Sequence, residues 1–268
     1  MYYRRMINMG SKINRNGEKG INTFGSEMII IEYRNARDID VYFPRYNWIS
    51  KNKAYDKFKN GNIKCPYERR YYGMGYLGEG KYKARENNKN TRVYSTWTSM
   101  IQRCYSEKYQ GKHPTYRDCE TSKEFHNFQD FGAWDENNYY TVEGQRMELD
   151  KDILVKHNKI YSPETCIYVP QRINTLFVKK DKNRGGNPIG VQYHKRDKIY
   201  EVWCNLINPE TGKSKGKYLG RYDTQEKGFE VYKYYKEKNI KEVADYFKKE
   251  IPDKLYDALY NYEVEIDD

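Results

Sequence analysis

No run of apolar residues in this chain is longer than four, and the leading candidate is Met28-Ile29-Ile30-Ile31. A helix that crosses a bilayer needs about 20 such residues, so no membrane span is expected. Any core has to be assembled from short segments, and much of the material for it is aromatic. The hydrophobic fraction is only 37%, but 30 Tyr and 9 Phe supply large rings to bury. Disordered chains are poor in aromatic residues, so most of the length is expected to fold. At roughly 100–200 residues per domain, 268 residues suggest two or three small domains.

The segment from Met1 to Gly20 is polar and basic with no apolar centre, which does not read as a secretory signal. Five cysteines (65, 104, 119, 166 and 204) without CxxC spacing point to reduced thiols and a cytoplasmic setting. Lys+Arg number 49 against 38 Asp+Glu, a net charge of +11, so nucleic acid is the expected class of partner.

Met28–Tyr33 and Ile39–Phe43 are rich in β-branched and aromatic residues and are separated by the polar stretch Asn35 to Asp38, which predicts a β-hairpin. Glycines 73, 75, 78 and 80 punctuate the region that follows. The spacing Gly73-x-Gly75-x-x-Gly78 satisfies a dinucleotide pattern but opens no helix and sits in no βαβ frame, so a phosphate loop is rejected. Residues 1–83 thus form a β-rich N-terminal module, and 84–91 read as a polar linker. Val93, Trp97, Met100, Ile101 and Cys104 follow the helical period, with Ser95 or Thr96 near the start. A second helix over Ser122 to Trp134 puts Phe125, Phe128, Phe131 and Trp134 on one side, a core stripe. Cys104, Cys119, Cys166 and His126 lack the paired spacing of a zinc site, and core packing is expected of them.

Arg146 to Asp150 reads as a strand, followed by a polar turn through Asn158. Ser162-Pro163-Glu164 makes a tight turn, Cys166 to Val169 a returning strand, and Pro170 the first helical position of Gln171 to Phe177. This strand–turn–strand–helix segment resembles the ββα-metal motif of phage and intron-associated HNH endonucleases. The matching stretches are Leu149-Asp150-Lys151-Asp152, Asn158 to Cys166, and Gln171-Arg172-Ile173-Asn174. Trp97-x-x-Met100-x-x-Arg103, Pro114-x-Tyr116 and the phenylalanine stripe are similar to the region upstream of the motif in such proteins. The resemblance implies that Asp150 and Asn174 hold one Mg²⁺ or Mn²⁺, and that a general base stands next to Asp150.

That position holds Lys151 instead of the family's His. Lysine has an ordinary pKa near 10.4 and is a poor base at neutral pH unless strongly perturbed. Three readings stay open. Lys151 is a cation on the transition-state phosphate, with the base supplied elsewhere, His157 being the candidate. Or it is itself a base of depressed pKa. Or catalysis is lost and only DNA binding remains.

The last block predicts strands over Ile189–Tyr193, Ile199–Leu206 and Lys217–Tyr222. Thr224 then caps an amphipathic helix carrying Phe229, Val231, Tyr232 and Tyr235. Shorter helices over Ile240–Phe247 and Lys254–Tyr260 and an acidic tail follow. Gly190-Val191, Lys198-Ile199-Tyr200 and Leu219 to Glu226 resemble the three-stranded DNA-binding domain of plant ethylene-response factors, which also occurs fused to phage HNH nucleases. The resemblance implies a sheet lying in the major groove of double-stranded DNA, offering Gln192, Lys195, Arg196, Trp203, Asn205, Lys217 and Arg221. Arg reads guanine and Gln or Asn reads adenine, so these residue types suit direct readout. Residues 171–221 hold twelve Lys+Arg, among them Arg172, Lys179, Lys180 and Arg184, against four acids, a local balance of about +8. About +3 is left for the rest of the chain.

The expectation is an α+β chain of three modules: a β-rich one over 1–83, an HNH-like region over 92–178, and three strands with helices over 185–268. The function expected is a DNA-binding HNH endonuclease in the cytoplasm of a phage-infected or lysogenic bacterial host. The alternative is a catalytically silent DNA-binding or inhibitor protein on the same scaffold. A protein partner for the N-terminal module stays unassigned.

Overall fold

Strands and helices alternate irregularly in small sheets, an α+β arrangement, in a computed structural model that describes residues 14–178 and 186–266. The chain divides into two units. One runs to Tyr109 and takes in His126–Asp130, and the other joins Gln110–Phe125 to Phe131 and everything beyond.

The first unit opens with a four-stranded antiparallel sheet in chain order: β1 (Lys19–Ile21), β2 (Glu27–Asn35), β3 (Asp38–Phe43) and β4 (Trp48–Lys53). The expected hairpin is β2–β3, and Asn35 sets its turn by accepting the Arg37 N–H at 2.9 Å. Ile39, Val41 and Phe43 alternate inward, fully buried, and meet Met28 and Ile30. Phe58 from α1 (Tyr55–Lys59), Ile63 and Cys65 close this core. The stretch 84–91 is not a plain linker. It carries a short hairpin, β5 (Arg85–Glu86) and β6 (Lys89–Asn90). Its turn residues Asn87 and Asn88 sit at φ +48° and +60°, a left-handed conformation that Asn tolerates. The helix after it, α2 (Arg92–Tyr105), starts earlier than Ser95. Thr91 caps it, its hydroxyl accepting the Tyr94 N–H at 3.2 Å, and Trp97, Met100, Ile101 and Cys104 form the buried stripe.

α3 (Glu107–Lys112) leads towards β7 (Glu120–Thr121). The single helix expected over Ser122–Trp134 is broken. A 3-10 turn spans Lys123–His126, and α4 begins only at Phe128 and runs to Asn138.

In the second unit, β8 (Met147–Asp150) leads through a loop to β9 (Ile160–Tyr161), which pairs in parallel with β7. β10 (Ile167–Pro170) returns antiparallel to β8, with Ile167 opposite Asp150 and Pro170 opposite Met147. Pro170 ends the strand and occupies the N-cap, so the helix starts one residue later than the sequence suggests. That helix, α5 (Gln171–Asn174), tightens into a 3-10 turn over Thr175–Phe177. Next come β11 (Val191–His194), β12 (Ile199–Ile207) and β13 (Ser214–Tyr222), an antiparallel sheet in that order. The two helices expected after Thr224 are one, α6 (Gln225–Phe247). Thr224 caps it by accepting the Lys227 N–H at 3.3 Å, and α7 (Asp253–Tyr260) packs against it.

α6 covers one face of the three-stranded sheet at close range. A Cβ on Gly228 would stand 3.0 Å from Val202 Cγ2, so the side chain there would have to give by a few tenths of an ångström. Gly190 is at φ +76°, and a Cβ there would overlap the Tyr232 ring at 2.1 Å. One hydrophobic cluster joins Ile153, Ile167, Val169 and Ile173 of the hairpin region to Val191, Val202, Cys204 and the buried side of α6. The sequence separates a central region from a C-terminal one, whereas here the two share a core.

Candidate metal and nucleic-acid site

The β8/β10 hairpin runs directly into α5, which packs on both strands. Asp150 ends β8, and its Oδ1 accepts the N–H groups of Asp152 and Ile153, each at 2.8 Å. This fixes the carboxylate at the mouth of the loop. Burial, reinforced by the nearby Asp152, pushes its pKa up to about 6. Asn174 is half-buried on α5, and its carboxamide has no protein partner among the described residues. One carboxylate and one amide oxygen are hard donors of the kind a Mg²⁺ or Mn²⁺ ion takes while keeping several waters. Among the described residues no group of three or more His, Cys, Asp or Glu side chains is placed to hold a metal. All five cysteines are buried as free thiols.

Lys151 points inward. It is 7% exposed, its Nζ lies 2.8 Å from Asp152 Oδ2, and it sits 5.8 Å from the Tyr161 ring. Burial is the largest influence and works against its charge, but Asp152, Cys119 and Asp150 together outweigh it and the pKa is raised. A base of depressed pKa does not fit that direction, and a cation reaching for a phosphate does not fit that burial. Lys151 instead holds the loop, together with Asn158, whose Nδ2 donates to the Lys151 carbonyl at 2.6 Å. His157 lies in the same loop at φ +61°, and its Nε2 is 2.8 Å from Glu265 Oε2. Glu265 is held below its ordinary pKa by the hydrogen bonds of His157 and Lys156. No local pattern announces Glu265, because it stands 108 positions from its partner.

The sheet offers a second arrangement. Val202 and Cys204 of β12 turn towards α6, while Trp203 and Asn205 turn away and are exposed. Gln192 of β11 lies opposite Glu201, and Arg221 of β13 lies opposite Glu201 on the other side, so the three form one row. A bulge shifts the register between Val202 and Trp203, pairing Val202 with Gly220 but Trp203 with Tyr218. Gly220, at φ +121°, absorbs the kink. Strict alternation would put Lys217 and Arg221 on one face. The bulge instead brings Tyr218 and Arg221 out, with the Trp203 and Tyr218 rings 5.0 Å apart. Lys217, opposite Cys204, goes to the helix side with its Nζ 4.3 Å from the Tyr235 ring, so it leaves the predicted face.

Glu201 holds that face together. Its Oε1 accepts from Arg221 Nε at 2.9 Å and lies 2.6 Å from Arg221 Nη2, and its Oε2 is 3.1 Å from His194 Nε2. Arg221 keeps a raised pKa through that hydrogen bonding. Lys195 and Arg196 project from the β11–β12 turn, Arg196 being 92% exposed and paired to Asp197. Arg172 is committed elsewhere, its Nη1 donating to the carbonyls of Pro209 and Glu210 at 2.6 and 3.1 Å, which ties α5 to the β12–β13 loop. Lys179, Lys180 and Arg184 lie outside the described residues.

Comparison with family models, with curated proteins and with solved structures finds no match for this chain.

Proposed function

We propose that this chain is a DNA-binding endonuclease of the HNH type, cutting phosphodiester bonds of double-stranded DNA with one Mg²⁺ or Mn²⁺ held by Asp150 and Asn174. The observation that supports the reading is the antiparallel β8/β10 hairpin entering α5, with Asp150 at the strand end and Asn174 in the helix packed on it. When bound, the cation supplies Lewis-acid stabilisation of the phosphate and of the leaving oxygen. The two N–H groups on Asp150 Oδ1 keep the carboxylate oriented for a ligand. His157 is the base in this reading. A carboxylate on Nε2 favours the tautomer that leaves Nδ1 to take a proton from water. Lys151 has a positioning role, holding Asp152 and the loop. The row Gln192–Glu201–Arg221 with the exposed Trp203, Tyr218 and Asn205 supports major-groove contact, and Lys195 and Arg196 suit phosphate contact.

Plasmid incubated with Mg²⁺ or Mn²⁺ tests the reading. Nicking by the parent and its loss in Asp150→Ala, with DNA binding retained by both, is the expected result. A second reading, a silent DNA binder, is favoured by the buried, ion-paired Lys151 at the family's base position. Shifted but intact plasmid for the parent would establish that reading and remove the hydrolase.

A further inference from the structure

A cationic cleft lies wholly within the first unit, on residues that neither the hairpin nor the three-stranded sheet uses. It encloses about 600 Å³, and its walls include Arg45, Arg69 and Arg70, Ser26 and the rings of Phe24 and Tyr46. That volume is of the size that takes a small organic ligand and is far too small for a duplex.

Glu68 also lines the cleft and is 2% exposed. Its carboxylate accepts from Asn22 Nδ2, from the Cys65 N–H at 3.3 Å and from Arg70 Nε at 2.9 Å, with a further close contact to Arg70 Nη2. Arg70 also donates to the Cys65 carbonyl at 2.7 Å. Arg70 and Glu68 therefore neutralise each other as part of the wall. Arg45 and Arg69 have no carboxylate partner among the described residues, which leaves two positive charges facing one small space. Ser26 is 6% exposed, its backbone is fixed by Asn22 Oδ1 at 2.9 Å, and its hydroxyl has no protein partner among the described residues. Ser26 lines the cleft, so its hydroxyl is within reach of what enters there. The Arg70 guanidinium lies 4.5 Å from the Phe24 ring centroid, yet Phe24 stays 51% exposed, a large flat surface left to solvent.

Two guanidinium groups without carboxylates match a doubly charged phosphate, which Arg grips through paired N–H donors. The Ser26 hydroxyl adds a donor to the same oxygens, and the exposed Phe24 ring suits a flat heterocycle. We infer that this cleft binds a mononucleotide, with its phosphate on Arg45, Arg69 and Ser26 and its base against Phe24 or Tyr46. Arg70 is a positioning residue here, since it carries the buried Glu68.

Calorimetric titration of the full chain with a mononucleotide, with the matching nucleoside and with inorganic phosphate tests the inference. Saturable binding of the mononucleotide with a Kd below about 1 mM is expected, at least about tenfold tighter than either fragment. Arg45→Ala with Arg69→Ala should weaken it at least about tenfold without altering thermal unfolding, because both side chains are exposed, and Ser26→Ala should weaken it severalfold. Arg37→Ala, on the β2–β3 turn, and Arg221→Ala, on the sheet, should leave it unchanged. No saturation by the mononucleotide, equal binding by the nucleoside, or undiminished binding by the double variant would overturn the inference. So would loss of binding in Arg221→Ala, which would move the ligand to the sheet. Plasmid nicking, whether seen or not, does not bear on any of these outcomes.

Discussion

In the β8–β10 loop the polar side chains are turned on one another, while on the uncovered face of β11–β13 they are turned out. Asp150 is spent on two backbone N–H groups, Lys151 on Asp152, and Asn158 on the carbonyls of Lys151 and Ile160. On the sheet, Trp203 is 48% and Tyr218 46% exposed, and Gln192 and Asn205 face solvent beside the clamped Arg221. The difference separates two meanings of a polar residue. In the loop, the Lys151–Asp152 pair is structural and its removal should be read in stability. On the sheet, charge is surface and its removal should be read in binding.

The largest effect expected is on the glycine that lets the sheet and α6 meet. Gly190→Ala places a Cβ in the Tyr232 ring at a left-handed φ and should cost about 3 kcal/mol or more, seen as a lowered thermal midpoint. The loop comes next, through pH. Burial raises the Asp150 pKa from 3.8 to about 6, so the folded chain holds that proton more tightly than the unfolded one. Its contribution to stability is therefore fully present below about pH 4 and is lost as pH rises towards 6, by at most about 3 kcal/mol. Denaturant titrations of the parent and Asp150→Asn across that range should diverge accordingly, and parallel curves would mean that the carboxylate is solvated.

The sheet should behave in the opposite way. Arg221→Ala is expected to weaken duplex binding by about 1–3 kcal/mol while moving stability by less than about 0.5. A stability loss equal to the binding loss would erase the distinction. Smallest of all is Lys217→Ala. From the helix side it should weaken duplex binding by roughly a factor of ten less than Arg221→Ala does, measured at one fixed salt concentration.

What the sequence reveals follows the range of the interaction. The β2–β3 hairpin, the α2 stripe and the Thr224 cap depend on neighbours within a few positions, and each is legible. Asn87 and Asn88 carry a turn signal too, but a hairpin of two-residue strands is too short to show a periodic pattern. Lys217 is misplaced because a single extra residue at Leu219–Gly220 reverses the alternation, and nothing short of the pairing register reveals it. The inward turn of Lys151 depends on Asp152 and Tyr161 closing over it, which the string Leu149-Asp150-Lys151-Asp152 does not display. His157 stands out as a residue type, but Glu265, which aims it, is brought in only by the folded C-terminal segment.

The cluster that runs from Ile167 and Ile173 to Val202 and Phe247 has a practical consequence. Cutting the gene between α5 and β11, to isolate the hairpin as a free-standing fragment, would strip Ile173 and Leu176 of the surfaces they are buried against. Each half would then present a greasy flank to water and precipitate or melt. Anyone wishing to dissect the second unit has to do so by point replacement, since the hairpin and the sheet stand or collapse together.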